Sequence, residues 1–186
     1  MAQIRNSGRR YGLVAIVLHW LMALLLVALV VLGLYMVSLP DVGFDTRKIK
    51  LILVHKQLGV AALVLVALRL AWRIGNVLPA LVAGLPDWQK ISARFVHLSF
   101  YALMLALPIT GWLMSSAAAI PVSFFGWFDL PDLIEHNERL FRAFIVVHRW
   151  LAYAFVACLL VHVGAALTHH LVFKDDTLRK MLPDAG

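Results

Sequence analysis

The sequence predicts an all-α integral membrane protein whose four helices form an up-down-up-down bundle. Hydrophobic residues make up 62% of the 186 residues, which is too high a share for a water-soluble domain of this size. They are concentrated in four runs of about 20 residues or more, the length at which an α-helix crosses a bilayer. The connections between the runs are short, which favours antiparallel neighbours.

The four predicted spans cover residues 11–37, 51–72, 95–114 and 144–171. They occupy most of the chain, so we expect a single membrane domain over residues 1–186 and no separate soluble domain. The basic first ten residues resemble the start of a signal peptide. The apolar run that follows is too long for one, and we expect it to be retained as the first span.

The distribution of lysine and arginine predicts the orientation of the bundle. The side that holds both termini and the connection between spans 2 and 3 carries ten of these residues, and the opposite side carries seven. This bias places both termini in the cytoplasm. The net charge of +7 is therefore interpreted as a topology signal and not as a nucleic-acid-binding surface.

Four histidines lie inside the predicted spans at two matched depths. His19 in span 1 and His162 in span 4 are about eight or nine residues from the inner surface. His55 in span 2 and His148 in span 4 are about four residues from the outer surface. His148 and His162 are 14 residues apart, which at about 100° per residue puts them on one side of the helix, about 21 Å apart.

Two level pairs, each drawn from two helices, predict two metal or haem sites stacked across the membrane. A lone histidine at a helix end is more often structural, but polar side chains within spans are costly and usually functional, and imidazole is a common haem ligand. Zinc is disfavoured because no Cys, Asp or Glu lies among the pairs at ligand spacing. Gly33, Gly59 and Gly164 are expected to leave room for a flat porphyrin in the core of the bundle.

Other polar residues have two open interpretations each. His97 and His169 lie nearer the inner surface than the pairs, where they either contact a haem propionate, a quinone or a proton path, or are simple interfacial residues. Arg69 either extends to the headgroups or pairs with a haem propionate. His136 is assigned to solvent. The aromatic cluster at residues 124–128 is expected to form part of an interface belt at the outer end of the bundle.

The chain resembles the bacterial cytochrome b-561 family of small four-span, di-haem cytochromes. The resemblance covers nearly the whole chain and rests on these segments: LHW in span 1, HKQLG in span 2, HLSFYALMLALPITG in span 3 and HVGAALTHHLVFKDDTLRKMLP at the end. It implies two haems b, with His19 and His162 as the axial ligands of one haem. It implies His55 and His148 for the other, in agreement with the pairing by depth.

The resemblance also implies a location in the bacterial inner membrane and electron transfer with quinone. For stand-alone members of the superoxide oxidase type, superoxide is oxidised to dioxygen and ubiquinone is reduced, with no protein partner required. Cationic residues near the outer pair would steer the superoxide anion. Those residues are Lys48, Lys50, Lys56, Arg139, Arg142 and Arg149.

Two alternatives remain open from the sequence. Related cytochromes b are membrane-anchor subunits that pass electrons between a dehydrogenase or hydrogenase partner and quinone. A subunit of that kind would need a docking surface, and the connection between spans 3 and 4 and the C-terminal tail are its candidates. A haem-free transporter is the third interpretation, and it predicts a colourless protein.

Overall fold

A computed structural model describes residues 3–40, 46–82 and 84–182 of the chain. Its four long helices are α1 (Leu13–Ser38), α2 (Thr46–Ile74), α3 (Asp87–Ala117) and α4 (Glu138–Thr168). All four are long and apolar enough to cross a membrane. This confirms the predicted all-α, four-span fold class. The domain prediction includes residues 1, 2, 41–45, 83 and 183–186, which lie outside the described residues.

α2, α3 and α4 begin before the predicted apolar spans because polar turns continue them into the interface. α3 begins eight residues before the predicted span, directly after Pro86, with Asp87 in its first turn. An acidic residue there is favoured by the helix dipole. α4 begins six residues early, where the side chain of Asn137 accepts a hydrogen bond from the amide of Leu140 at 3.0 Å, as N-terminal caps do. Pro108 does not end α3, which continues to Ala117.

The centre of the bundle is closed by one buried side chain from each helix. These are Met22, Val66, Met104 and Phe155. Phe155 is seven residues from both His148 and His162, or about 10 Å along α4 in each direction. This layer therefore separates the two histidine levels. Many large apolar side chains on the four helices are exposed, as expected where lipid is the solvent.

The outer end of the bundle carries a two-stranded antiparallel sheet that the sequence reading did not predict. Strand β1 (Val122–Phe124) pairs with β2 (Phe128–Leu130). The connecting turn has positive φ at Phe125 and Gly126, the conformation of a hairpin turn that matches the strand twist. Lys56 donates to the carbonyl of Ile120 at 3.5 Å. This contact places the connection between α3 and α4 at the end of the bundle where α2 begins.

The inner end brings together the N-terminal segment, the connection between α2 and α3, and the C-terminal tail. Asn6 donates its side-chain amide to the carbonyl of Val77 at 3.0 Å, and Lys180 donates to the carbonyl of Ala80 at 2.8 Å. The indole of Trp20 donates to the carbonyl of Met181 at 2.7 Å. These contacts place the three segments at one end, as an even number of spans requires.

Candidate functional site

The inner histidine pair consists of His19 on α1 and His162 on α4. Their ring centroids are 6.2 Å apart, with an angle of 58° between the ring planes. The two residues come from opposite ends of the sequence and from helices that run in opposite directions. Their rings nevertheless lie next to each other in the core of the bundle, as the predicted match in depth requires.

The outer histidine pair consists of His55 on α2 and His148 on α4. Their ring centroids are 6.3 Å apart and the ring planes meet at 78°. Both pairs therefore use α4 as one wall and a different helix as the other. The structure brings together the same partners that matched depth and helix face predicted from the sequence.

Both separations fit one metal ion between two imidazoles. An imidazole nitrogen lies about 1.1 Å from its ring centre and imidazole–metal bonds are about 2.0 Å long, so two opposed rings on one ion lie about 6.2 Å apart. Among the described residues, no group of three or more His, Cys, Asp or Glu could hold a metal alone. The pairs thus suit a metal whose other ligands are not protein side chains, such as haem iron.

The surroundings of His148 fix its proton on the nitrogen that faces away from such a ligand. The hydroxyl of Thr110 donates to the carbonyl of Leu107 at 2.9 Å and lies 3.0 Å from Nδ1 of His148. A hydroxyl has one proton to donate, so Thr110 must accept from Nδ1–H of His148. Nε2 then keeps its lone pair, which is the second-shell arrangement typical of metal-ligating histidines.

His55 offers a nitrogen that no protein group satisfies. Its Nδ1 is buried and has no hydrogen-bond partner in the protein. A buried polar atom without a partner is costly and calls for an explanation. A bound non-protein group beside His55 would explain why this nitrogen has no protein partner.

Glycines line the outer pair and leave space next to it. A Cβ at Gly33 on α1 would lie 3.4 Å from Cε1 of His55, and a Cβ at Gly111 on α3 would lie 3.5 Å from Cε1 of His148. Gly33 therefore lies directly beside the His55 ring. Gly111 was missed because only the fold brings it to His148. At Gly59 and Gly164 a Cβ would meet no atom within 4 Å, so space is open beside both pairs.

His97 lies closer to the inner pair than its predicted depth indicated. Its ring centroid is 5.7 Å from that of His162, and the ring of Phe100 packs against the His162 ring at 5.3 Å. The prediction placed His97 too near the inner surface to be level with His162. Side chains on adjacent helices reach several ångströms along the bundle axis, and the count of residues alone does not include that reach.

Arg69 points to the inner pair. Its guanidinium lies 3.1 Å from Nδ1 of His19 and 3.4 Å from the hydroxyl of Tyr101, and it contacts Sδ of Met22 at 4.0 Å. A guanidinium has donors only, so Nδ1 of His19 accepts here. If Nε2 of His19 holds a metal and Nδ1 keeps a proton, Arg69 must turn to another acceptor, and a propionate carboxylate would suit it.

His169 forms a pair with Asp175 that the sequence reading missed. Its Nδ1 lies 2.5 Å from Oδ2 of Asp175, and the two side chains are 16% and 14% exposed. The amide of Thr177 donates to Oδ1 of Asp175 at 2.8 Å. Burial alone would raise the pKa of Asp175, but the hydrogen bonds from Thr177 and His169 hold it below the ordinary value. Asp175 follows His169 by six residues, and the π-helical turn His169–Phe173 brings the two side chains together. This spacing was the signal in the sequence that could have predicted the pair.

The outer cations predicted to steer an anion are not equivalent. Lys48 donates to the carbonyl of Leu39 at 3.1 Å, and Arg142 is paired with Glu138 at 2.8 Å. Lys50 and Arg149 are exposed. His136 is exposed as predicted.

Comparison with known proteins identifies the family. The sequence profile described as "Prokaryotic cytochrome b561" matches residues 10–184. The chain belongs to the prokaryotic cytochrome b561 family. This b561 cytochrome is therefore a multi-pass bacterial membrane protein of electron transfer, from a family that binds haem b.

Three relatives match over nearly their whole length. "Cytochrome b561 homolog 2" of Escherichia coli (strain K12) is 34% identical and the match covers 95% of this b561 cytochrome and 93% of the relative. "Cytochrome b561 homolog 1" of the same organism is 29% identical, with 94% and 97% covered. "Probable superoxide oxidase CybB" of Yersinia pestis is 28% identical, also with 94% and 97% covered.

Proposed function

We propose that this b561 cytochrome oxidises superoxide at its outer end and reduces ubiquinone in the bacterial inner membrane, through two haems b. His19 and His162 would hold the inner haem, and His55 and His148 the outer one. The observation that carries the proposal is the pair of ring separations, 6.2 and 6.3 Å, at two levels of one bundle. The resemblance to a relative named as a probable superoxide oxidase supports the substrate.

The reaction balances with two superoxide anions for each quinone. Each superoxide loses one electron and becomes dioxygen, and the quinone gains two electrons and two protons to become the quinol. Bound haem would supply the one-electron redox chemistry that protein side chains lack. The chain itself must bind the anion, orient the ligands, deliver protons and keep the two ends apart.

The outer end suits an anionic substrate. Lys50 and Arg149 are exposed, and Arg149 directly follows His148 in the chain. Exposed cations beside a redox site raise the encounter rate of a small anion. Lys48, Lys56 and Arg142 are engaged with carbonyls or with Glu138, whereas Arg139 is exposed but lies nine residues before His148 in the chain. We therefore assign the steering mainly to Lys50 and Arg149.

The inner end suits proton delivery to a quinone. His97 lies beside His162, and His169 is held by Asp175. A histidine oriented by a carboxylate can pass a proton at neutral pH. We assign His169 to this role, with Asp175 as its positioning residue, and we place both termini and this end in the cytoplasm because of the excess of cations there.

The test uses the purified full-length protein in detergent or liposomes. A pyridine haemochrome assay should find two haems per chain in the wild type and one in both His148→Ala and His19→Ala. Superoxide from xanthine oxidase should reduce the haem, and added ubiquinone should reoxidise it. One haem or none in the wild type would refute the pairing.

The membrane-anchor alternative gives a different result in the same preparation. A flavin or iron–sulfur subunit would co-purify with the chain, and the isolated chain would not be reduced by superoxide faster than a superoxide dismutase control. That result would replace superoxide with a protein as the electron donor.

A further inference from the structure

Arg69 is a half-buried cation inside the bundle without a carboxylate partner. No described Asp or Glu lies within ion-pair distance of its guanidinium, whose described contacts are His19, Tyr101 and Met22. A charged side chain within a membrane span is costly and is usually retained for function. Its contacts direct it to the inner histidine pair.

No described cation lies within hydrogen-bond distance of either histidine of the outer pair. His148 contacts the neutral hydroxyl of Thr110, and Nδ1 of His55 has no partner. Lys56 follows His55 in the chain, but its ammonium donates to Ile120 in the outer connection. Arg149 is exposed, where solvent and salt screen its charge. Among the described residues, only the inner pair thus has a cation within hydrogen-bond distance of a histidine.

Such a charge acts on the equilibrium between oxidised and reduced haem. Arginine keeps its charge at any accessible pH, and reduction adds one electron to a haem. With an effective dielectric constant of about 20, a unit charge within about 8 Å changes an equilibrium constant more than tenfold. Both haems carry the same propionates, so the difference between the sites comes from the protein.

We propose that Arg69 raises the reduction potential of the inner haem above that of the outer haem and so directs electrons from the outer to the inner end. This inference rests on the proposed function, because it assumes one haem at each histidine pair. It assigns to Arg69 a fixed positive charge beside the inner pair, which acts on the haem by its electric field whichever acceptor the guanidinium contacts. The direction of electron flow then follows from the fold and not from the substrates alone.

The experiment measures the inner haem alone in a His148→Ala background. Optical redox titration compares Arg69→Gln, Arg69→Lys and, as a matched control, Arg73→Gln. Arg73 lies one turn further along α2, with its guanidinium 5.4 Å from the centre of the Tyr101 ring. Arg69→Gln should lower the ratio of reduced to oxidised haem at fixed ambient potential at least tenfold, a shift of about 59 mV. Arg69→Lys should keep the ratio close to the wild-type value. Arg73→Gln should lower the ratio less than Arg69→Gln does.

If Arg69→Gln loses its haem, a second comparison tests the inference without any Arg69 variant. The inner haem in His148→Ala should have a higher potential than the outer haem in His19→Ala. An equal or lower inner potential would overturn the inference, as would an Arg69→Gln shift no larger than that of Arg73→Gln. A haem count other than one in the single-ligand variants would instead refute the pairing on which the inference rests.

Discussion

Thr110 accepts the Nδ1 proton of His148, because its own hydroxyl proton is donated to the carbonyl of Leu107. This contact sets the tautomer of a residue on another helix and leaves Nε2 free as a ligand. Hydrogen bonds of this kind from the shell around a metal ligand typically contribute 10- to 100-fold in metal affinity.

Thr110→Val should therefore weaken the outer haem and spare the inner one. Valine keeps the shape of threonine but leaves Nδ1–H of His148 without a partner. We expect the outer haem to dissociate about 10 to 100 times more readily, measured by haem transfer to apomyoglobin. Thr110→Ser keeps the hydroxyl and serves as the control, and it should behave like the wild type. Equal loss of both haems in Thr110→Val would contradict the assignment.

Gly59→Leu should block the outer haem without disturbing the apoprotein. A Cβ at Gly59 would meet no protein atom within 4 Å, and Gly59 lies four residues after His55 on the same helix face. A leucine side chain there would project into the open space beside the outer pair. We expect one haem per chain by pyridine haemochrome, with an unchanged helical circular dichroism spectrum. The control is Gly8→Leu, because a Cβ at Gly8 also meets no atom within 4 Å. Gly126 is not used because its positive φ would strain any side chain.

Lys50→Gln with Arg149→Gln should slow superoxide-driven reduction of the haem. The steering field of two exposed cations disappears, and we expect a loss of about tenfold at low ionic strength, within the range for steered association. The loss should shrink as salt is added because salt already screens the wild type. Stopped-flow traces at several salt concentrations measure both effects. Lys90→Gln, at the inner end and paired with Asp87, should leave the rate unchanged; an equal loss there would argue against an outer substrate site.

His169→Ala should slow quinone reduction while both haems remain. Removal of a proton donor typically costs at least about 100-fold, and Asp175→Asn should cost less, about tenfold, because the imidazole stays. The measurement is the rate of haem reoxidation by a soluble ubiquinone analogue, with the haem count as the check. Full activity in both variants would place the quinone elsewhere in the bundle.

Asp175 also predicts a dependence of stability on pH. Because its pKa is lowered in the folded protein, the carboxylate stabilises the fold above the pKa of an unfolded Asp, about 3.9. That contribution is lost as the pH falls through the lower folded-state pKa. Thermal unfolding of the wild type and Asp175→Asn should therefore differ at neutral pH, begin to converge near pH 4 and agree once the pH is below the folded-state pKa. A difference that persists in acid would show that the substitution acts by packing.

The sequence by itself determined the four spans and the pairing of the histidines. Hydropathy alone decides whether a segment of about 20 residues is stable in lipid. The 100° step of the helix places His148 and His162 on one side of α4 whatever surrounds them. These are local properties of a chain in a bilayer, so they were predictable before any contact between helices was known.

Only the tertiary structure decided which side chains surround the pairs. Thr110, Gly111 and Arg69 lie on helices other than those of the histidines they contact, and the rotation of each helix about its axis sets those contacts. That rotation depends on packing between all four helices, to which the buried layer of Met22 and Phe155 contributes. No single segment encodes it, because in lipid each apolar helix face has almost the same hydropathy, and fit between side chains selects the contact.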